Sequence, residues 1–252
     1  MAKVKVYIKT VFNFIGNILF PPRCVFCDCV LEPDSGMHIC GKCGDTIEFC
    51  SDSLCCTKCG KPIVSFGKRQ LCYFCMENRT KYFDRITSVF LYDGVVREAV
   101  LRFKASGLKS TAVTFAECIA SKIFDEFSDI KFDFICGVMP HNKRQFRKTG
   151  VEQIDLLCKI LSARLDVPYI ENLFKRIRKT QKQSSLGWHE RRENMKESIQ
   201  VINDNDFSGK TLLLIDDVCT TRSTIIEYAR ALKNAGAKCV YAATIATVQN
   251  PK

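Results

Sequence analysis

From Arg85 to Val248 the apolar positions alternate between two periods. Arg85 to Tyr92 is a short apolar run broken by Asp93-Gly94, which predicts a strand. Val95, Ala99, Val100 and Phe103 then share one face, with Arg97, Arg102 and Lys104 between them, so the spacing predicts a helix over 95–104. A second helix fits 110–127, and Phe132 to Met139 reads as a strand stopped by Pro140. Val151 to Leu165 is helical, with Ile154, Leu157, Cys158 and Leu161 at core spacing. Leu212 to Ile215 are consecutive aliphatics, which suit a parallel strand covered on both faces. A helix over 225–234 follows, then a stop at Ala235-Gly236 and a strand from Cys239 to Val248. Such alternation predicts an α/β domain over 81–252 built on a mostly parallel sheet.

Upstream the pattern changes. Val4, Ile8, Val11, Ile15 and Ile18 or Leu19 fall on one helical face, so 1–20 reads as an amphipathic helix. Its apolar run is shorter than the roughly 20 residues that cross a bilayer. Docking on its own protein is the expected role, with peripheral membrane contact as the alternative. Lys9, Asn13, Gly16 and Asn17 interrupt it, unlike the apolar core of a secretory signal.

Residues 21–80 are dominated by cysteine. Eleven of the 16 cysteines lie between Cys24 and Cys75. Cys24 and Cys27 are followed at a twelve-residue interval by Cys40 and Cys43, and Cys56 and Cys59 by Cys72 and Cys75 at the same interval. Each Cys-x-x-Cys turn aims two sulfurs at one point, and a second turn closes a thiolate tetrahedron around zinc. Sequential pairing gives two zinc ribbons; crossed pairing or a single metal satisfies the spacing equally. With all eight thiolates used structurally, no open catalytic position is expected, and replacing Cys59 or Cys72 should disturb only this small module. Cys29, Cys50 and Cys55 fall outside the pattern, whereas Cys118, Cys136, Cys158 and Cys239 sit among apolar residues and read as core. This distribution favours a cytoplasmic metal-binding module over a secreted disulfide framework.

Charge adds a partner class. The chain carries 38 Lys and Arg against 27 Asp and Glu, a net +11, which suits polyanions. Lys143, Arg144, Arg147 and Lys148 form one cluster; Lys175, Arg176, Arg178, Lys179 and Lys182 form another.

The chemistry concentrates after the aliphatic strand, where Asp216 and Asp217 precede Thr220, Thr221, Arg222, Ser223 and Thr224. In parallel sheets, ligands bind at the carboxyl ends of the strands. Adjacent carboxylates can accept hydrogen bonds from two neighbouring sugar hydroxyls. A hydroxyl-rich turn entering a helix offers N–H groups to a phosphate. Together they describe a ribose 5-phosphate. A nucleoside-triphosphate site would need G-x-x-x-x-G-K-[ST]; the nearest match, 36–43, ends in Cys. Cys219 lies in the loop with no general base nearby in sequence and is not read as a nucleophile.

This segment resembles the 5-phosphoribosyl-1-pyrophosphate (PRPP) motif of type I phosphoribosyltransferases, except that Arg222 stands where the family usually has Gly. Two consequences are open: the side chain obstructs the loop, the preferred reading, or its guanidinium ligates the phosphate. The full order further resembles the bacterial ComF family, a zinc module joined to a phosphoribosyltransferase-like domain. Leu19 to Cys24, Leu91 to Arg97, Leu101 to Lys104, Lys148 to Gln153, and Thr180, Gln183, Leu186, Arg191 and Asn194 carry that likeness.

The resemblance implies that Asp216 and Asp217 hold the ribose hydroxyls, one of them through Mg²⁺. It also implies that 220–224 wraps the 5-phosphate, and that Val138-Met139-Pro140 leads into a pyrophosphate loop neutralised by Arg144, Arg147 and Lys148. It gives 180–194 the role of a cover. It implies a part in natural competence, taking single-stranded DNA into the cytoplasm, with Phe146 or Trp188 as stacking platforms. The alternatives are an active transferase using PRPP with an unknown acceptor, and a zinc scaffold for a competence helicase. No catalytic residue is assigned.

Overall fold

The computed structural model describes residues 21–32, 38–50, 55–63, 71–77, 82–139, 153–177, 197–202 and 205–249. The chain divides into two compact units, Met1–Ile47 and Glu48–Lys252. The second cysteine block, Cys56 to Cys75, falls in the second of these units.

In the first unit, the turn at Cys24 is closed by its N–H donating to the carbonyl of Cys29 (2.8 Å). Helix α1, Gly41–Thr46, follows; its N-cap Cys40 accepts from the N–H of Cys43 through sulfur at 3.4 Å.

The second unit begins with short helix α2, Tyr73–Glu77, and then follows the predicted alternation: β1 (Arg85–Leu91), α3 (Gly94–Ser106), α4 (Lys109–Glu126), β2 (Phe134–Gly137), α5 (Gln153–Leu165), β3 (Phe174–Arg176), β4 (Ile199–Val201), β5 (Thr211–Cys219), α6 (Ser223–Asn234) and β6 (Cys239–Thr247). The main sheet has the order β1-β6-β5-β2 with every pairing parallel. Leu212 to Ile215 are fully buried at its centre, as an unbroken aliphatic run requires. Gly137 in β2 admits α5: a Cβ there would meet Ile154 at 2.6 Å. Cys136 and Cys158 are core as expected, whereas Cys118 and Cys239 are half-buried.

The antiparallel pair β3–β4 was not foreseen. Each strand is three residues long and they are distant in sequence, so neither carries a readable period. Buried Glu227 of α6 holds the pair in place. It accepts from the N–H of Ser198 (2.8 Å) and Ile199 (3.3 Å) and is itself clamped by Arg230 (2.7 Å).

The second cysteine block is built against the sheet. Cys50 N–H donates to the carbonyl of Val89 (2.9 Å), and Ile86 N–H to that of Lys58 (2.9 Å). Gly60 has φ +63, and a Cβ on it would lie 2.8 Å from the carbonyl oxygen of Ile86. Only glycine combines that backbone with that approach.

Candidate functional site

The site follows from a difference in strand length. β5 stays paired with β6 as far as Cys219↔Thr247, but its pairing with β2 ends at Gly137↔Ile215. Beyond Ile215, β5 has no ladder partner on its β2 side among the described residues, and Asp216 and Asp217 are the next residues. The departing segment is tethered at two points: Val138 N–H donates to Ile215 (3.0 Å), and Met139 N–H to the buried Tyr228 hydroxyl of α6 (2.9 Å). The acid pair therefore sits at the carboxyl end of a parallel sheet, the usual place for a ligand.

The two acids occupy different surroundings. Asp216 is 7% exposed and accepts from the N–H of Asp217 at 2.8 Å. Burial, followed by the neighbouring Asp217, pushes its carboxyl up to about 7. Asp217 is half-buried and pairs with Lys104 Nζ of α3 at 2.8 Å. Burial would lower the Lys104 ammonium, but Asp217 and then Asp216 outweigh it and hold it raised. Lys104 was not assigned to the site from sequence, although it closes the Leu101–Lys104 segment on which the family resemblance rests; only the fold brings it to Asp217.

Asp216 therefore opposes stability when ionised. Its folded pKa lies above its unfolded value, so the folded chain holds an extra proton between about pH 4 and pH 7. The associated stability is fully present below the unfolded pKa and is lost as pH rises through 7. Asp216→Asn should stabilise the ligand-free protein at pH 8, on the order of a few kcal/mol, with the gain vanishing near pH 4. Thermal melts at the two pH values check this; equal gains at both would show that ionisation is not the cause.

Between β5 and α6, the loop turns on Arg222, whose φ is +66. That left-handed backbone costs a residue other than glycine roughly 1–2 kcal/mol. Arg222 is the N-cap of α6 and supplies no side-chain cap, while its carbonyl accepts from Ile226 (2.8 Å). Thr221 and Ser223 bond to each other through their hydroxyls at 3.0 Å. The Arg222 side chain follows neither course read from the sequence. It turns away from the loop, stacks on Phe74 with its guanidinium carbon 4.1 Å from the ring centre, and donates to Cys59 Sγ at 3.4 Å. Burial raises the Cys219 thiol to about 11, in keeping with a side chain that is not a nucleophile.

The cysteines resolve the pairing question. Cys24, Cys27, Cys40 and Cys43 form one cluster, and Cys56, Cys59, Cys72 and Cys75 another, with sulfurs within 4.8 Å of one another in each. Tetrahedral zinc with bonds of about 2.3 Å sets its sulfurs roughly 3.8 Å apart. Cys27 and Cys40 are at 3.6 Å, and Cys59 and Cys72 at 3.7 Å. Backbone N–H groups also point at sulfur, Cys40 to Cys24 (3.4 Å) and Cys72 to Cys56 (3.3 Å), which supports thiolate. Both donor sets fit a structural zinc. Lys61 is fully buried beside the second cluster, where burial and Arg222 lower its ammonium.

The 1–20 helix, the basic residues Arg144, Arg147 and Lys148, the loop 180–194, and Phe146 and Trp188 lie outside the described residues. Among the described residues, no helix is long and apolar enough to cross a membrane.

Comparison with known proteins matches residues 15–76 to a double zinc ribbon domain and 156–251 to a phosphoribosyl transferase domain. Competence protein F of Haemophilus influenzae is 28% identical over 185 residues, covering 72% of this chain and 79% of that protein. Competence protein ComFC of Bacillus subtilis is 25% identical over 82% of each chain. The chain is similar to these competence proteins and carries both a double zinc ribbon match and a phosphoribosyl transferase match. Another relative, the DNA utilization protein YhgH of Escherichia coli O157:H7, is 34% identical over 108 residues, 43% of this chain and 46% of its own length. The acid pair, its loop and the helix after it all fall inside the phosphoribosyl transferase match, whereas Lys104 falls outside it.

Proposed function

We propose that this protein handles single-stranded DNA entering the cytoplasm during natural competence and retains a phosphoribosyl site for PRPP. The observation that carries the second part is the acid pair Asp216–Asp217 beside an uncapped, left-handed loop at the carboxyl end of β5. The carboxylates would accept from the ribose diol, Asp217 exchanging Lys104 for ligand hydroxyls or Mg²⁺, and 220–224 would take the 5-phosphate. The first part is supported by relatives named for competence and DNA utilization and by the +11 charge. In this reading Arg144, Arg147 and Lys148 contact DNA phosphates or pyrophosphate, each cysteine cluster holds one zinc, and a competence helicase is the protein partner.

A second reading is phosphoribosyl transfer. The bond from C1 to pyrophosphate breaks, pyrophosphate leaves with the electron pair, and an acceptor nucleophile bonds to C1. The left-handed backbone at Arg222 favours this reading, because the loop keeps its shape without the usual Gly. Mg²⁺ would screen the departing charge, and basic side chains would do the rest.

Titrating the zinc-loaded protein with PRPP by calorimetry, and with a labelled single-stranded oligonucleotide by anisotropy, tests the proposal. PRPP should bind in a Mg²⁺-dependent way, and the oligonucleotide with steep salt dependence. Removing Arg144 with Arg147 should flatten the log–log salt slope by roughly 1–2 units. An unchanged slope would move the DNA surface to the 175–182 cluster. Absence of oligonucleotide binding would end the DNA reading.

A further inference from the structure

Arg222 joins the phosphate loop to the second cysteine cluster. Its backbone forms the left-handed turn at the head of α6, and its buried guanidinium reaches Cys59 and Phe74. Among the described residues, its buried Nε has no hydrogen-bond partner, so Cys59 sulfur and the Phe74 face are the contacts that hold it. Lys61, also buried, lies in electrostatic range of Arg222, Cys59 and Cys72. Four thiolates around a divalent metal leave a dianion, and the Arg222 guanidinium lies against it. With neutral thiols instead, a buried guanidinium would lack its anion, an arrangement proteins avoid.

We propose that Arg222 is a positioning residue through which metal held by Cys56, Cys59, Cys72 and Cys75 sets the grip of loop 220–224 on phosphate. The inference rests on the reading of that loop as the phosphoribosyl site. While the thiolates are metal-bound, their charge draws the guanidinium out of the loop and offsets the unfavourable φ of the turn. When the metal leaves, the side chain loses its anion and the turn loses that support. Coupling between two ligands is reciprocal in affinity, and affinity differences fall mostly on the dissociation rate, so phosphate in the loop should slow departure of the metal.

The test follows zinc release to a chromogenic chelator from the full chain carrying Cys24→Ser and Cys27→Ser, so that only the second cluster contributes. Saturating PRPP with Mg²⁺ should slow release by roughly 5- to 150-fold. Arg222→Gly, which keeps the left-handed turn available, should release zinc roughly 10- to 100-fold faster without ligand and lose the PRPP effect. Arg222→Lys, retaining a cation, should fall between the two and serves if the Gly variant does not fold. Calorimetry on the same samples separates the failures. If PRPP does not bind, the phosphoribosyl reading is wrong, and the ligand-free release rates still judge the link from Arg222 to the metal. If PRPP binds without slowing release, or Arg222→Gly releases zinc at the parental rate, the coupling is overturned.

Discussion

Replacing Cys59 by serine is expected to destabilise the whole unit from Glu48 to Lys252, not only a small metal module. Cys59 sits beside Gly60, whose backbone is pressed against Ile86 of β1, and it accepts from the guanidinium of Arg222 at the head of α6. Losing the metal and one thiolate leaves Arg222 buried without its counter-charge. Removing one partner of a buried charge pair costs about 3–5 kcal/mol. Denaturant unfolding followed by circular dichroism should therefore show a large drop in midpoint for Cys59→Ser. Cys27→Ser, in the other compact unit, should leave the α/β transition near its original midpoint. Equal, small effects of both substitutions would restore the sequence-based expectation that the cysteine blocks act apart from the sheet.

The second large effect concerns the acids. Asp216→Asn combined with Asp217→Asn should weaken PRPP binding by roughly 10²-fold or more, since hydrogen bonds to charged groups contribute about 1.5–3 kcal/mol each. Single-stranded DNA binding should persist or strengthen, because negative charge leaves the site and Lys104 loses its partner on Asp217. The pair of titrations separates a phosphoribosyl site from a DNA surface within one variant. Loss of both ligands in a folded protein would merge the two sites.

Much of this was legible in the sequence because it is local. The aliphatic run Leu212–Ile215 could hardly be anything but a central strand, and the residues that follow it had to sit at its carboxyl end. Repeated Cys-x-x-Cys spacing announced metal-binding thiolates, and the fold decided which pairs share a site. What the sequence concealed depends on long-range placement. Lys104 meets Asp217, and Tyr228 catches Met139, only after the helices dock. Arg222 was recognisable as a departure from glycine, yet nothing near it announced that Cys59 and Phe74 would receive its side chain. A positive φ explains why glycine is usual there; a buried anion explains how arginine is accommodated. The antiparallel pair β3–β4 was missed for a related reason, since Glu227 and Arg230 hold it through side chains on another element.

The central claim is that the acid pair and its loop are a working phosphoribosyl site, and amide chemical shifts recorded during a PRPP titration test it most directly. With zinc and Mg²⁺ present, the amides of Asp216 and Asp217 and of Thr220 to Thr224 should shift together and saturate with the calorimetric affinity. Saturable shifts confined to other parts of the chain, or none at all at millimolar PRPP, would contradict it.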